Sequence, residues 1–113
     1  MHERGLAEKL LRMALERAKG ARVKRVFARV GELRAAEPDS LRFWFDSLAE
    51  HNNCSGAELE VMEVPVCWAC TYCGKRYTPD EPTMVCPNCG SRELDMVSGE
   101  ELDVERIETL KTA

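Results

Sequence analysis

Apolar residues recur at helical spacing twice in the N-terminal half of the chain. The first stripe predicts a helix from about Glu3 to Lys19, with Gly20 following its end. The apolar residues of this stripe are Leu6, Ala7, Leu10, Leu11, Ala14, Leu15 and Ala18. The second stripe predicts a helix from about Pro38 to Glu50, with the proline in its first turn. The apolar residues of this stripe are Leu41, Trp44, Phe45, Leu48 and Ala49. Each helix therefore has one face suited to a core.

Three other segments alternate between apolar and polar positions and predict strands. The first ends at Gly31 and carries Val26, Ala28 and Val30 on one face. The second spans Leu59 to Val64 and is closed by a proline. The third spans Leu102 to Glu108, but its alternation is imperfect because Ile107 falls on the opposite face from Leu102 and Val104.

The predicted order is helix, strand, helix, strand, cysteine-rich segment, strand. The first two strands, with the helix between them, suit a right-handed crossover. We therefore predict an α+β fold, with a small three-stranded sheet, two helices and an inserted zinc-ribbon lobe. The expected domains are an α/β domain formed by residues 1–64 and 102–113, and a zinc-ribbon domain formed by residues 65–101.

Length and composition support a metal-dependent insert. A chain of 113 residues suits one domain, or one small domain carrying a smaller insert. Residues 65–101 are rich in cysteine, proline, glycine and polar residues and contain few aliphatic ones. Such a segment cannot bury enough apolar surface to fold alone, so a metal has to replace part of its core.

Four cysteines have the spacing of a zinc ribbon. Cys70, Cys73, Cys86 and Cys89 form C-x2-C-x12-C-x2-C, and a glycine follows each pair. Each pair can present two sulfurs from one tight turn, and the glycine permits a positive φ beside the metal. Four protein ligands leave no open coordination position, which indicates a structural Zn²⁺ rather than a catalytic one.

Two further cysteines complicate this assignment. Cys67 makes a second possible C-x2-C pair with Cys70, either as an exchanged metal ligand or as the redox couple of a dithiol protein. We favour Cys73 as the partner because Gly74 after it mirrors the glycine after the second pair. Cys54 is expected to be a buried or spare thiol near a turn.

Charge and hydropathy restrict the remaining classes. The formal net charge of −4 opposes binding to phosphate backbones. No apolar run is long enough for a membrane span, and the N-terminus lacks a secretory signal pattern, so a cytoplasmic protein is expected. A local basic stretch consists of Arg22, Lys24, Arg25 and Arg29. Because of this stretch, one alternative stays open: a zinc-ribbon interaction module or nucleic-acid-binding module.

The first three residues, Met1, His2 and Glu3, form a potential chelating terminus. The α-amine, the deprotonated amide of His2 and its imidazole can close fused chelate rings in a near-planar, nitrogen-rich arrangement that suits Ni(II) or Cu(II). Met1 should be retained, because methionine followed by a bulky histidine is trimmed poorly. The same tripeptide also fits an ordinary exposed terminus.

Together these features resemble the hydrogenase maturation nickel metallochaperones of the HypA/HybF family. The resemblance covers essentially the whole chain. It rests on Met1-His2-Glu3, Val30-Gly31-Glu32-Leu33, Glu37-Pro38-Asp39-Ser40-Leu41-Arg42-Phe43-Trp44-Phe45, Val64-Pro65 and Ser98-Gly99-Glu100-Glu101-Leu102, in addition to the cysteines.

The resemblance implies a non-enzymatic carrier of nickel. Its nickel site falls on the Met1 amine, the amide and imidazole of His2 and the amide of Glu3, with a further carboxylate from Glu37 or Asp39. Both carboxylates also suit helix capping. Its zinc ligands are the four cysteines of the C-x2-C pairs. The implied cargo is Ni²⁺, and the implied partners are a HypB-type GTPase and the hydrogenase large subunit; some relatives also serve urease. The chain is expected to be a monomer or a homodimer.

Overall fold

The computed structural model describes residues 2–79 and 84–110 of the chain. Its elements follow the predicted order. They are α1 His2–Ala18, β1 Val23–Gly31, a 3₁₀ turn Glu32–Arg34, α2 Pro38–Leu48, β2 Glu58–Val64, β3 Cys67–Cys70, β4 Arg76–Tyr77, β5 Leu94–Ser98 and β6 Leu102–Thr109. The two predicted helices and three predicted strands are confirmed, although α2 ends at Leu48 and not at the predicted Glu50.

The first sheet has the strand order β2-β1-β6. Strand β1 lies in the centre, parallel to β2 and antiparallel to β6. The parallel pair is connected through α2, as the predicted crossover requires. Both helices belong to the hydrophobic core formed with this sheet, and α1 packs against α2.

The core takes its largest side chains from the two helices. Leu10, Leu41 and Phe45 are completely buried, and they meet Val26 and Ala28 of the central strand. Burying a side chain of this size contributes about 1.5–3 kcal/mol relative to leaving it exposed. The two apolar stripes and the alternation in β1 are therefore the parts of the sequence that determine this layer.

A bulge explains the imperfect alternation of β6. Phe27 pairs with Arg106 but Ala28 pairs with Val104, so Glu105 is an extra residue in the ladder. The bulge brings Val104 and Ile107 to the same face, where both contact the core. The side chain of Arg17 in α1 donates hydrogen bonds to the carbonyls of Val104 and Glu105.

The cysteine-rich segment contains a second sheet, with the strand order β4-β3-β5 and antiparallel pairing throughout. The hydrophobic pattern did not predict these strands because they are short and mostly half-exposed. Among the described residues between 65 and 101, only Val66, Cys70 and Cys86 are buried apolar residues. The sheet therefore has almost no aliphatic core.

The two sheets meet at a close backbone crossing. A Cβ on Gly31, at the end of β1, would overlap the carbonyl of Gly99. Gly99 itself has φ +126°, and a Cβ there would lie 2.9 Å from Cγ2 of Val66. The Glu32 carboxylate accepts the Val66 N–H at 2.9 Å, and the Gly31 N–H donates to the Glu101 carbonyl at 2.7 Å. Glycine is required on both sides of this crossing.

Candidate metal centres

The four cysteines of the C-x2-C pairs lie in two similar turns. In the first turn the Gly74 N–H donates to the Cys70 carbonyl at 2.8 Å; in the second the Gly90 N–H donates to the Cys86 carbonyl at the same distance. The glycines have φ +80° and +77°, as the spacing predicted. Each turn therefore presents two sulfurs toward the other turn.

All four Sγ atoms lie within 4.8 Å of one another. The Cys70 and Cys89 sulfurs are 3.6 Å apart, and those of Cys73 and Cys86 are 3.7 Å apart. A tetrahedral zinc site with Zn–S bonds of about 2.3 Å has sulfurs about 3.8 Å apart. The four thiols are therefore close enough together to bind one Zn²⁺.

The thiols of this cluster differ in pKa because their surroundings stabilise the thiolate form to different degrees. The pKa of Cys73 is lowered to about 6, chiefly because the Lys75 backbone N–H and the Asn88 side chain stabilise its thiolate. The Ser91 N–H also favours the Cys89 thiolate, but desolvation and the three neighbouring sulfurs raise the pKa of Cys89 to about 12. Four thiolates this close together repel one another and need a cation between them.

The other two cysteines lie outside the cluster. Cys67 is opposite Ser98 in the β3–β5 ladder, and the thiol of Cys54 is buried in the core of the first sheet. The expected burial of Cys54 is confirmed, and this burial raises the pKa of its thiol. Cys67 is absent from the group of converging sulfurs, in agreement with our preference for Cys73 as the partner of Cys70.

The second candidate centre is the N-terminus, of which Met1 lies outside the described residues. His2 opens α1, and its Nε2 lies 2.6 Å from the backbone carbonyl oxygen of Arg34. Its Nδ1 lies 3.6 Å from Oε1 of Glu3. The other carboxylate oxygen of Glu3 accepts the backbone N–H of Glu37 at 3.3 Å. Residues distant in sequence thus surround the start of α1.

The carboxylates of Glu37 and Asp39 are engaged in α2. Glu37 is the N-cap residue, and its carboxylate accepts the Ser40 N–H at 2.8 Å. The backbone N–H groups of Ser40 and Asp39 lower the pKa of Glu37. Asp39 forms an ion pair with Arg42 at 3.2 Å. Within residues 2–79 and 84–110, neither carboxylate joins His2 and Glu3 in a three-residue metal-ligand group.

Two of the four basic residues near β1 are paired with acidic neighbours. Arg25 pairs with Glu58 at 3.2 Å and with Glu108 at 3.1 Å, and Arg29 pairs with Asp103 at 3.2 Å. These pairs lie on the face of the first sheet opposite the helices. The pairing weakens the case for a nucleic-acid surface, because the guanidinium groups already have partners. Within the described residues, no helix combines the length and apolar character that crossing a bilayer requires.

Comparison with known proteins identifies the family. Residues 1–109 match the family model described as hydrogenase/urease nickel incorporation, metallochaperone, hypA. The chain belongs to the HypA family. The hydrogenase maturation factor HypA of Nostoc punctiforme is 42% identical over 108 residues, covering 96% of this chain and 95% of the relative. That of Trichormus variabilis is 39% identical over the same length and the same shares of both chains.

HypA structures have the same fold. The solution structure of the Ni metallochaperone HypA from Helicobacter pylori superposes with a TM-score of 0.73 at 26% identity, covering 99% of this chain and 100% of that one. A second HypA solution structure gives 0.72 at 25% identity, with 97% of both chains covered. The predicted family and fold class are confirmed. The family model describes a metallochaperone for nickel incorporation into hydrogenase or urease, and the curated relatives are named hydrogenase maturation factors.

Sequence reasoning missed the residues that connect the N-terminus of the chain to the segment between β5 and β6. Arg34 accepts a hydrogen bond from His2 through its backbone, and its side-chain Nε donates to the Glu100 carbonyl at 2.9 Å. The Leu33 N–H donates to the Gly99 carbonyl at 2.9 Å. Backbone carbonyls leave no mark in a residue pattern; Leu33, Gly99 and Glu100 lie in the quoted family segments, but Arg34 does not, so nothing in the sequence signalled it.

Proposed function

We propose that this chain binds Ni(II) at its N-terminus and delivers it during maturation of a nickel-iron hydrogenase. The start of α1 at His2 carries this proposal. The first N–H groups of a helix have no intrahelical acceptor, so the amides of His2 and Glu3 can be deprotonated and bind metal without breaking the helix. With the Met1 amine and the His2 imidazole, they supply four nitrogen donors, which suit square-planar Ni(II).

In this proposal the Glu37 carboxylate is a further ligand that competes with a helix cap. It would have to exchange the Ser40 N–H, which it accepts at 2.8 Å, for the metal. Asp39 is the alternative, and it would have to leave Arg42. Loss of an N-cap costs about 1 kcal/mol, so nickel binding through Glu37 would be weakened by about that amount.

The cysteine cluster would hold Zn²⁺ for structure. It supplies four sulfurs and fills a tetrahedral shell, which leaves no open position for a reactant. We therefore assign no enzymatic activity to the chain. The proposed division is a nickel-binding α/β domain of residues 1–64 and 102–113 and a zinc-ribbon domain of residues 65–101, the latter serving as a docking surface.

The proposed partners and setting follow from family membership. A cytoplasmic HypB-type GTPase would cooperate in delivery, and the hydrogenase large subunit would receive the metal. Release would be aided by acid, because the amine, amide and imidazole bind nickel only when deprotonated and protons compete with the metal. Such lability suits a carrier better than a permanent site.

Calorimetric nickel titration of the zinc-loaded, tag-free chain tests the proposal. We expect about one nickel per chain at a four-nitrogen site. Binding should be lost in His2→Ala and in a variant with one residue added before Met1. His51→Ala is the matched control, because it removes the chain's other histidine, which is exposed beyond α2. Equal binding by all four proteins would refute the terminal site.

A further inference from the structure

The contact between His2 and Arg34 determines which imidazole nitrogen is free. A backbone carbonyl oxygen only accepts hydrogen bonds, so Nε2 of His2, 2.6 Å from the Arg34 oxygen, must carry the proton. In the neutral ring the lone pair is then on Nδ1. The Arg34 carbonyl therefore selects one tautomer of this histidine.

The selected tautomer is the one that a terminal chelate needs. Nickel bound to the His2 amide nitrogen closes a six-membered ring only through Cα, Cβ, Cγ and Nδ1, because Nε2 points away from the amide. Nδ1 also lies 3.6 Å from the Glu3 carboxylate, whose charge attracts a cation to that side of the ring. The donor atom and the negative charge lie on one side, and the carbonyl that orients the ring lies on the other.

We infer that the 3₁₀ turn Glu32–Arg34 is a positioning element for nickel, with the Arg34 carbonyl holding the His2 imidazole in the chelating tautomer and orientation. This inference rests on the proposed terminal nickel site. Histidine ligands of metals commonly donate their second N–H to a carbonyl or carboxylate, and removing that partner lowers metal affinity about 10–100-fold.

The turn is held by the two segments that connect the sheets, so its position does not depend on a bound metal. The Leu33 N–H and the Arg34 guanidinium donate to the carbonyls of Gly99 and Glu100, both at 2.9 Å. The carboxylate of Glu32 accepts the Val66 N–H. Ala35 ends the turn at φ +50°, and its N–H donates to the Glu32 carbonyl at 3.1 Å. The Arg34 carbonyl is therefore fixed independently of His2.

Methylation of single ring nitrogens tests the inference directly. Residues 1–53 can be synthesised with Nε2-methylhistidine in place of His2 and joined to residues 54–113 at Cys54. This group keeps the Nδ1 lone pair but cannot donate to Arg34, so we expect about 10–100-fold weaker nickel binding by calorimetry. In the free tripeptide Met-His-Glu, which lacks the turn, the same methylation should leave nickel affinity within about twofold.

The outcomes separate the inference from the function on which it rests. Nε2-methyl protein that binds nickel as tightly as the unmodified chain would overturn the positioning role and leave the terminal site intact. Nδ1-methylhistidine removes the donor atom, so protein carrying it should bind no nickel. Tight binding by that protein would refute the terminal site itself.

A backbone variant provides an independent arm with an unmodified histidine. Ala35→Pro forces a negative φ and removes the N–H that closes the turn, so the Arg34 carbonyl should move and nickel affinity fall. Ala35→Gly is the matched control, because glycine keeps both the N–H and the positive φ. ¹⁵N spectra of the metal-free His2 ring should show the Nε2–H tautomer in Ala35→Gly and a tautomer mixture in Ala35→Pro.

Zinc content and thermal midpoint monitor the folding of both variants. If Ala35→Pro folds and both its nickel affinity and its ring spectrum match those of Ala35→Gly, the positioning role is refuted. If Ala35→Pro does not fold, the methylhistidine proteins decide the question alone.

Discussion

Gly31 and Gly99 lie where the two sheets meet, and the close packing there leaves no space for a Cβ atom at either position. A Cβ on Gly31 would overlap the carbonyl of Gly99, and a Cβ on Gly99 would press against Val66. Gly99 also has a positive φ, whereas Gly31 is restricted only by its neighbour's carbonyl. The restriction at Gly31 is thus tertiary, and it depends on the return of the chain from the second sheet.

Gly31→Ala should destabilise the protein by about 1–3 kcal/mol or more, because the added methyl group forces the two backbones apart. Urea unfolding of the zinc-loaded protein measures the change. Gly5→Ala is the matched control: nothing lies within 4 Å of a Cβ at that exposed helical position. It should stabilise by up to about 0.5–1 kcal/mol. Equal effects at both positions would contradict the close crossing.

Of the two cysteines outside the cluster, Cys54 should react more slowly with alkylating reagents than Cys67. Its side chain is 1% exposed, and burial raises the pKa of its thiol, so little thiolate forms at pH 8. Cys67 is half-buried at the start of β3, the central strand of the second sheet. Iodoacetamide treatment of the zinc-loaded protein should therefore label Cys67 first, as followed by peptide mass spectrometry. Faster labelling of Cys54 would show that the core around it opens readily.

At the scale of elements, the two sheets are stabilised by different means. The first sheet is covered by two helices and buries large aliphatic and aromatic side chains. In the second sheet, two of the three described buried apolar residues between 65 and 101 are the cysteines Cys70 and Cys86. Removal of the metal should therefore affect the two sheets unequally.

Chelation of zinc should unfold strands β3, β4 and β5 while β1, β2 and the helices stay folded, because only the second sheet lacks a core of its own. Amide spectra by NMR measure this residue by residue: Trp68 and Met96 should lose dispersion, and Val26 and Leu59 should keep it. Readdition of zinc should restore the spectrum. Cooperative loss of both sets of signals would show that the zinc-ribbon segment is no separate domain.

Regular periodicity determined how much of the fold could be predicted. Both helices and β1 follow one period throughout and were found within a few residues of their ends. In β6 the bulge at Glu105 interrupts the period, and Arg17 of α1, distant in sequence, donates to the carbonyls of Val104 and Glu105 there. The second sheet is short and half-exposed, so its pattern was too weak to detect.

One of the two candidate sites could be predicted from the sequence in detail and the other could not. The four cysteines form a local motif, and their convergence was predicted from spacing alone. His2 instead meets the backbone carbonyl of Arg34, and the Glu3 carboxylate beside it accepts the backbone N–H of Glu37. Backbone groups are common to every residue, so no residue type identifies the ones that tertiary structure brings to a site.

At the scale of the whole molecule, one junction connects the sheets. The Glu101 carboxylate accepts the N–H of Gly99 at 2.8 Å. This bond, together with Glu101's own N–H, lowers the pKa of the carboxyl. A carboxyl with a lowered pKa stabilises the fold above its unfolded pKa, and this contribution is lost as the pH falls through the folded value.

Glu101→Gln should therefore make the unfolding midpoint less sensitive to acid. Glutamine keeps an acceptor oxygen for Gly99 but does not titrate. Urea midpoints measured from pH 7 to about pH 3, below the ordinary glutamate pKa of about 4.3, should fall further in the wild type than in the variant. Glu105→Gln is the control, because it removes an exposed carboxylate remote from Gly99. Parallel curves for all three proteins would exclude the Glu101 contribution.

The ends of the zinc-ribbon segment meet, since the Ser98 hydroxyl donates to the Pro65 carbonyl at 2.7 Å. This has a consequence for the order of folding. A folded segment acts as a short link that delivers β6 beside β1, whereas an unfolded one is a long loop whose closure entropy opposes that pairing. Zinc binding early in folding therefore lowers the effective contact order of the first sheet. Zinc should accelerate the folding of this sheet although the zinc site lies outside it.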